Sequence, residues 1–181
     1  MDRSNHYEAA FEAYLRAERL GYVAVDEARR TELDDEPIKS LDFIVCARDA
    51  RLLVDVKGRL FPSRPTGRRR LVWENWCERE DLDGLTRWEE RFGAGCLGLL
   101  VFVYHVLPVV DLPLGTADQW FWRGRRYLMR AVPGHEYRRA MRVRSPRWDT
   151  VHLPHSTFRQ LVRPFRDFLR VEPAAAVPLS G

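Results

Sequence analysis

Two short apolar runs, residues 41–46 (LDFIVC) and 52–57 (LLVDVK), are separated by only five residues, ARDAR. Each has strand length and β-branched content, and so short a connection joins antiparallel neighbours rather than parallel ones. The pair predicts a hairpin. If its ends pair symmetrically about Arg48 and Asp49, Asp42 falls opposite Asp55 or one place from it. Side chains alternate along a strand, so Leu53, Asp55 and Lys57 share one face while Val54 and Val56 take the other. Few arrangements tolerate such a hairpin. One face must be covered by core, and the other must find a use for two carboxylates and an ammonium.

The rest of the chain reads outward from this pair. Residues 5–20 predict a helix capped by Ser4 or Asn5, with Tyr7, Phe11, Tyr14 and Leu15 on one stripe and Gly21 as its stop. A strand follows at 22–25, and the acid-rich stretch after it predicts a loop ending near Pro37 and Ser40. Residues 58–72, with Gly58, Pro62, Pro65 and Gly67, predict another loop. Residues 81–92 predict a helix with Leu82, Leu85 and Trp88 inward, closed by Gly93. The apolar run 97–104 predicts a strand buried on both faces. A helix between two strands predicts a right-handed crossover and parallel pairing. Strands at 119–122 and 125–132, turning at Arg123-Gly124, predict a second hairpin. A short helix at 136–142, a strand at 150–153 and a final helix at 156–170 complete the pattern. The expected class is α/β: a central mixed β-sheet flanked by helices, with a C-terminal β/α extension. A chain of 181 residues suits one domain. Its expected bounds are 1–171, with a core at 5–105, an extension at 118–171 and a flexible tail at 172–181.

Composition and motifs exclude several classes. With 45% hydrophobic and 31% charged residues, the chain is expected to fold rather than remain disordered. Its longest apolar run, 97–110, is too short for a bilayer and is broken by His105 and Pro108. No signal-peptide pattern opens the chain, so a cytoplasmic protein without a membrane partner is the simplest expectation. Cys46, Cys77 and Cys96 form no CxxC pair and read as small core residues. There is no GxxxxGK[ST] and no GxGxxG after a strand, which argues against nucleotide hydrolysis and dinucleotide binding. His152 and His155 are separated by Leu153 and Pro154, and the proline spoils helical ligand spacing. Glu74, Glu78 and Asp81, just past the hairpin, could add acidity near a metal, but solvated loop charge is the default reading.

Net charge is only +4, but it is unevenly spread. Arg59, Arg64, Arg68, Arg69 and Arg70 follow the hairpin, and residues 123–147 hold nine arginines against one carboxylate, Glu136. Such clusters suit a polyanion. Among 30 basic residues only Lys39 and Lys57 are lysines. A compact ammonium and a planar guanidinium are not interchangeable in a tight site, so a lysine at 57 is informative.

Two carboxylates at the end of a buried strand pair repel each other, which raises a pKa or recruits a cation. A hard divalent ion with oxygen ligands resolves the conflict. Hydrolysis of a phosphodiester needs a Lewis acid, an activated water and positive charge for the developing oxyanion. Asp42, Asp55 and the Val56 carbonyl are the expected ligands of Mg2+ or Mn2+, and Lys57 the expected aid to the water or the transition state.

These residues resemble the PD-(D/E)xK nuclease superfamily, whose restriction-endonuclease-like core has the same order of helix, strand, hairpin, crossover helix and strand. Leu41 stands where the motif name has proline, and Asp55 where glutamate is more usual. The segments His6-Tyr7-Glu8-Ala9-Ala10-Phe11-Glu12, Val54-Asp55-Val56-Lys57-Gly58-Arg59 and Arg144-Ser145-Pro146-Arg147-Trp148 resemble the HYExAFE proteins, a group without an established activity. The resemblance implies that a carboxylate from the first helix completes the metal shell. Counting back from Leu15, as in related resolvase-type nucleases, gives Glu8 ahead of Glu12. The implied activity is metal-dependent nuclease, endo- or exonucleolytic, on DNA ahead of RNA, in a protein able to form a homodimer. Arg59, Arg64, Arg68, Arg69 and Arg70 would contact phosphates, and Trp73 and Trp76 are the best candidates to stack on bases beside them. The alternatives are a nuclease-fold module that binds nucleic acid or a protein partner without cutting, and a purely structural domain.

Overall fold

The strand carrying Asp55 and Lys57 is longer than its apolar run. The computed structural model describes residues 5–25, 32–33, 36–37, 39–48, 50–62, 72–112 and 118–170. Within it, strand β5 extends over Arg51–Phe61. The preceding elements are helix α1 (His6–Ala17), β1 (Gly21–Ala24), a two-stranded ribbon of β2 (Glu32–Leu33) and β3 (Glu36–Pro37), and β4 (Phe43–Cys46). After β5 come β6 (Cys77–Glu78), α2 (Arg79–Phe92), β7 (Cys96–Val106), β8 (Gln119–Trp122), β9 (Arg125–Pro133) and α3 (Gly134–Ala140). The chain then forms β10 (Arg142–Ser145), β11 (Thr150–His152), α4 (His155–Leu161), β12 (Arg163–Pro164) and a 3-10 turn, Phe165–Arg170.

The central sheet is mixed, in the order β1-β4-β5-β7-β9-β12, with β8 also paired to β9. The predicted hairpin is there: β4 and β5 are antiparallel, with Phe43 opposite Val54. The predicted crossover is there too: β7 runs parallel to β5 for its whole length. Phe11 and Leu15 of α1, with Phe165 and Phe168, cover one face by packing on Val54, Val56 and Val101. Leu82 and Leu85 of α2, Tyr137 of α3 and Phe158 of α4 cover the other over Leu53, Leu100 and Phe102. Strand β7 contributes to both cores, as its continuous apolar run requires.

Several elements differ from expectation; the expected helix at 136–142, for one, runs over Gly134–Ala140 and gives way to β10 at Arg142. The first helix stops at Glu18, and Arg19 rather than Gly21 takes the left-handed position (φ 55°). Asn5 is its cap, the side chain accepting from the Tyr7 N–H at 3.1 Å. Residues 58–61 continue β5 instead of opening a loop, because β7 offers partners through Val106. The final helix is divided. Proline at 164 disfavours helix at the residue before it and lacks an N–H, so α4 ends at Leu161 and Arg163–Pro164 adds to the edge of β9. A second small sheet, β10-β11-β6, was not foreseen, since strands this short carry no readable alternation.

The second hairpin turns where expected, through Arg123 (φ 47°) and Gly124 (φ 70°). Cys77 is buried as a small core residue, whereas Cys46 is exposed. Among the described residues no helix is long and apolar enough to cross a membrane. The expected tail, 172–181, lies outside the described residues.

Candidate active site

Strand β4 begins at Phe43, so Asp42 stands one step before it. Its backbone N–H still donates to the Val54 carbonyl (3.0 Å), and its Oδ2 accepts from the Val56 N–H (2.6 Å). The carboxylate thus extends the ladder where the strand itself has ended. Continuing the register from Phe43 and Val54 sets Asp42 opposite Asp55, one of the two placements the hairpin allowed. The two are only 7% and 8% exposed. Burial and then the negative charge of Asp55 push the Asp42 carboxyl up to about 8, a rise that the Val56 N–H and Lys57 only partly oppose. Burial likewise pushes Asp55 up to about 6, against the pull of Lys57.

Lys57 shares the Asp55 face. Its Nζ lies 2.8 Å from Asp55 Oδ1 and 2.9 Å from Asp81 Oδ2. Burial alone would lower its pKa, but Asp55 and Asp81 together hold it above the ordinary lysine value. Asp81 is therefore not a solvated loop charge. It sits in the first turn of α2, 3% exposed, with Oδ2 accepting from the Glu78 N–H at 2.8 Å. Lys39 Nζ lies 2.5 Å from its Oδ1, a charge contact rather than an aligned hydrogen bond, and 2.7 Å from Glu78 Oε2. Burial favours the neutral acid, yet Lys57 and Lys39 hold Asp81 below the usual carboxylate range. Both lysines of the chain meet at this one carboxylate. A first-turn acid ordinarily lies at an exposed helix end, so solvated charge was the default reading for Asp81 over acidity near a metal. The signal that could have found it was the lysine count.

On α1, Glu8 accepts from Asn5 Nδ2 at 2.9 Å, and its negative charge adds to the rise at Asp42. Tyr7 packs against Gly58, where a Cβ would come within 2.2 Å of its ring, so the start of α1 rests directly on β5. Glu12 is engaged elsewhere, with Arg16 (2.8 Å) and the Tyr22 hydroxyl (2.9 Å). His6 turns to the Tyr127 hydroxyl (3.1 Å) and stacks edge-on with His105.

The donor set fits a hard divalent cation. Asp42 and Asp55 form a buried, like-charged pair, and the Val56 carbonyl lies on the same strand edge as the N–H that Asp42 holds. Among the described residues no three His, Cys, Asp or Glu side chains gather around one point. Magnesium does not require that, since it keeps several waters and is often held by one or two carboxylates.

The expected nucleic-acid contacts divide. Arg64, Arg68, Arg69 and Arg70 lie outside the described residues. Arg59 turns inward: it donates to the Gly58 carbonyl (2.7 Å) and to the Trp76 carbonyl, with its guanidinium 4.1 Å over the Trp76 ring. Trp73 is stacked on Phe61, ring centroids 3.6 Å apart, with its edge to Tyr104.

The solved structure of Hjc, a Holliday junction resolvase from the archaeal hyperthermophile Archaeoglobus fulgidus, is similar to this chain over 93% of its length and 96% of that chain, with a TM-score of 0.51 at 10% identity. The fold is restriction-endonuclease-like. At that identity the similarity establishes architecture alone. No family model and no curated protein matches the chain.

Proposed function

We propose that the chain is a divalent-metal-dependent nuclease of the PD-(D/E)xK type, acting on DNA. One observation carries the reading. Asp42 and Asp55 face each other across a buried strand pair, pushed up to about 8 and about 6, with Lys57 beside them on the same face. Asp42, Asp55 and the Val56 carbonyl would hold Mg2+ or Mn2+, and Glu8, whose charge already reaches Asp42, would complete the shell from α1. A bound ion supplies positive charge and Lewis acidity to a phosphodiester. The Val56 N–H fixes Asp42 Oδ2, which leaves Oδ1 to turn outward. Lys57 remains protonated and has three donors, two of them directed at Asp55 and Asp81. The third is available to a phosphoryl oxygen as negative charge develops there.

The HYExAFE-like segments support a place for the chain beside that group, and the likeness to a junction resolvase suggests branched DNA and a homodimer. Helices α1, α2, α3 and α4 pack on the two faces of the central sheet, which supports one domain over residues 1–171. Arg64, Arg68, Arg69 and Arg70 are proposed phosphate contacts. Arg59, over the Trp76 ring, and Trp73, on the Phe61 ring, are engaged within the described residues.

A second reading, a fold that binds nucleic acid without cutting, draws on one observation: Lys57 already occupies an oxygen of Asp55. Magnesium-dependent cleavage of labelled linear and branched DNA separates the two. The parent should cut, and Asp55→Ala and Lys57→Ala should not, although all three remain folded. Equal cutting by parent and variants would remove the site assignment. Salt-sensitive binding without any metal-dependent cutting would favour the second reading.

A further inference from the structure

We propose that Asp81 is a positioning residue for Lys57, drawing the ammonium part-way off Asp55 so that Asp55 keeps an oxygen for the cation while Lys57 stays at the site. The inference rests on the nuclease reading above and extends it to residues of α2.

An ammonium bonded to Asp55 alone would compete with a divalent ion for that carboxylate. Lys57 instead divides itself almost evenly, 2.8 Å from Asp55 and 2.9 Å from Asp81. Asp81 can hold its end only if it cannot swing toward the site. Oδ2 is tied to the Glu78 N–H as part of the α2 capping box, and Oδ1 faces Lys39. Lys39 is itself fixed: its carbonyl accepts from Trp88 Nε1 at 3.0 Å, and Gly84 lets α2 approach so closely that a Cβ there would lie 3.3 Å from that carbonyl. Helix α2 therefore grips Lys39 from two further points along its length. Lys39 and Lys57 face Glu78, Asp81 and Asp55, so these five side chains carry one formal negative charge. Asp42 adds a second, and a divalent cation would balance the two.

The test is Mn2+ affinity, read by the loss of the free-ion electron-spin-resonance signal, in the parent, Asp81→Asn, Lys57→Met and the double variant. Asparagine keeps an oxygen for the Glu78 N–H but loses the attraction for lysine, so Asp81→Asn should remain folded. Its Mn2+ affinity and kcat should each fall about 10-fold, with KM for DNA unchanged, as is common when a residue that orients a site is lost. In the Lys57→Met background, adding Asp81→Asn should change Mn2+ affinity less than about twofold, since the two act as one unit. Lys39→Met should hold or raise Mn2+ affinity, because Lys57 then moves toward Asp81. Unchanged affinity in Asp81→Asn, an undiminished effect of Asp81→Asn without Lys57, or a fall in Lys39→Met each overturns the inference and leaves the nuclease reading standing. A parent protein that binds no Mn2+ overturns both.

Discussion

The two faces of β5 use one backbone for opposite ends. On the α1 face, Leu52, Val54 and Val56 pack among Phe11, Phe43 and Val101, and all are buried. On the α2 face, Leu53 is followed by Asp55, buried, and Lys57, half-buried. Burial stabilises the first face, at roughly 25 cal/mol per Å² of apolar area. On the second it is unfavourable: Asp42 and Asp55 are pushed well above the usual carboxylate range because water has been removed from them. The apolar face must offset that cost. A strand with one face spent on core and the other on strained charge is what a site looks like when stability and chemistry share a segment.

The comparison can be broken face by face. Lys57→Ala should lower cleavage by about a thousandfold or more while the protein stays folded, as is typical when a pre-placed positive donor is lost. Leu52→Ala should do the reverse, lowering stability by about 2–5 kcal/mol while the folded fraction still cuts. Denaturant melts of both variants beside their cleavage rates would collapse the distinction if each lost both properties. Next in size is Glu8. Glu8→Gln should lower activity by about 10-fold or more, as for partners that orient a metal shell, whereas Glu12→Gln should change it less than about twofold. Equal losses would remove the preference for Glu8.

The smallest expected effect is on pH. Folded Asp42 binds its proton up to about 8 and Asp55 up to about 6, against an ordinary value of 3.8. Stability from these protons is complete below about pH 4 and is lost as pH rises through about 6 and then about 8. In chelator, the parent's melting temperature should fall across that window more steeply than that of Asp42→Asn. Parallel slopes would show that Asp42 is not strained.

Much of the charged face was legible from sequence. Strand alternation placed Asp55 with Lys57, and the short ARDAR connection placed Asp42 opposite Asp55 or one place from it. Glu8 entered through resemblance, and the structure gives it an electrostatic link to Asp42. What escaped was non-local. The meaning of Asp81 depends on Lys39 and Lys57 arriving from other elements, and no spacing announces that. The extra length of β5 depends on β7 as a partner, and Tyr7 over Gly58 on a close approach between helix and strand. The division of the final helix was readable in Pro164 itself; there the apolar periodicity was given more weight than a proline allows.

The central claim is that the charged face of β5 is built to hold a divalent cation through Asp42. Melting the parent and Asp42→Ala proteins with and without Mn2+ tests it most directly. The account predicts a rise of several degrees for the parent, about 2.7 kcal/mol at a hundredfold excess over Kd, and none for the variant. No rise in the parent, or the same rise in both, would contradict it.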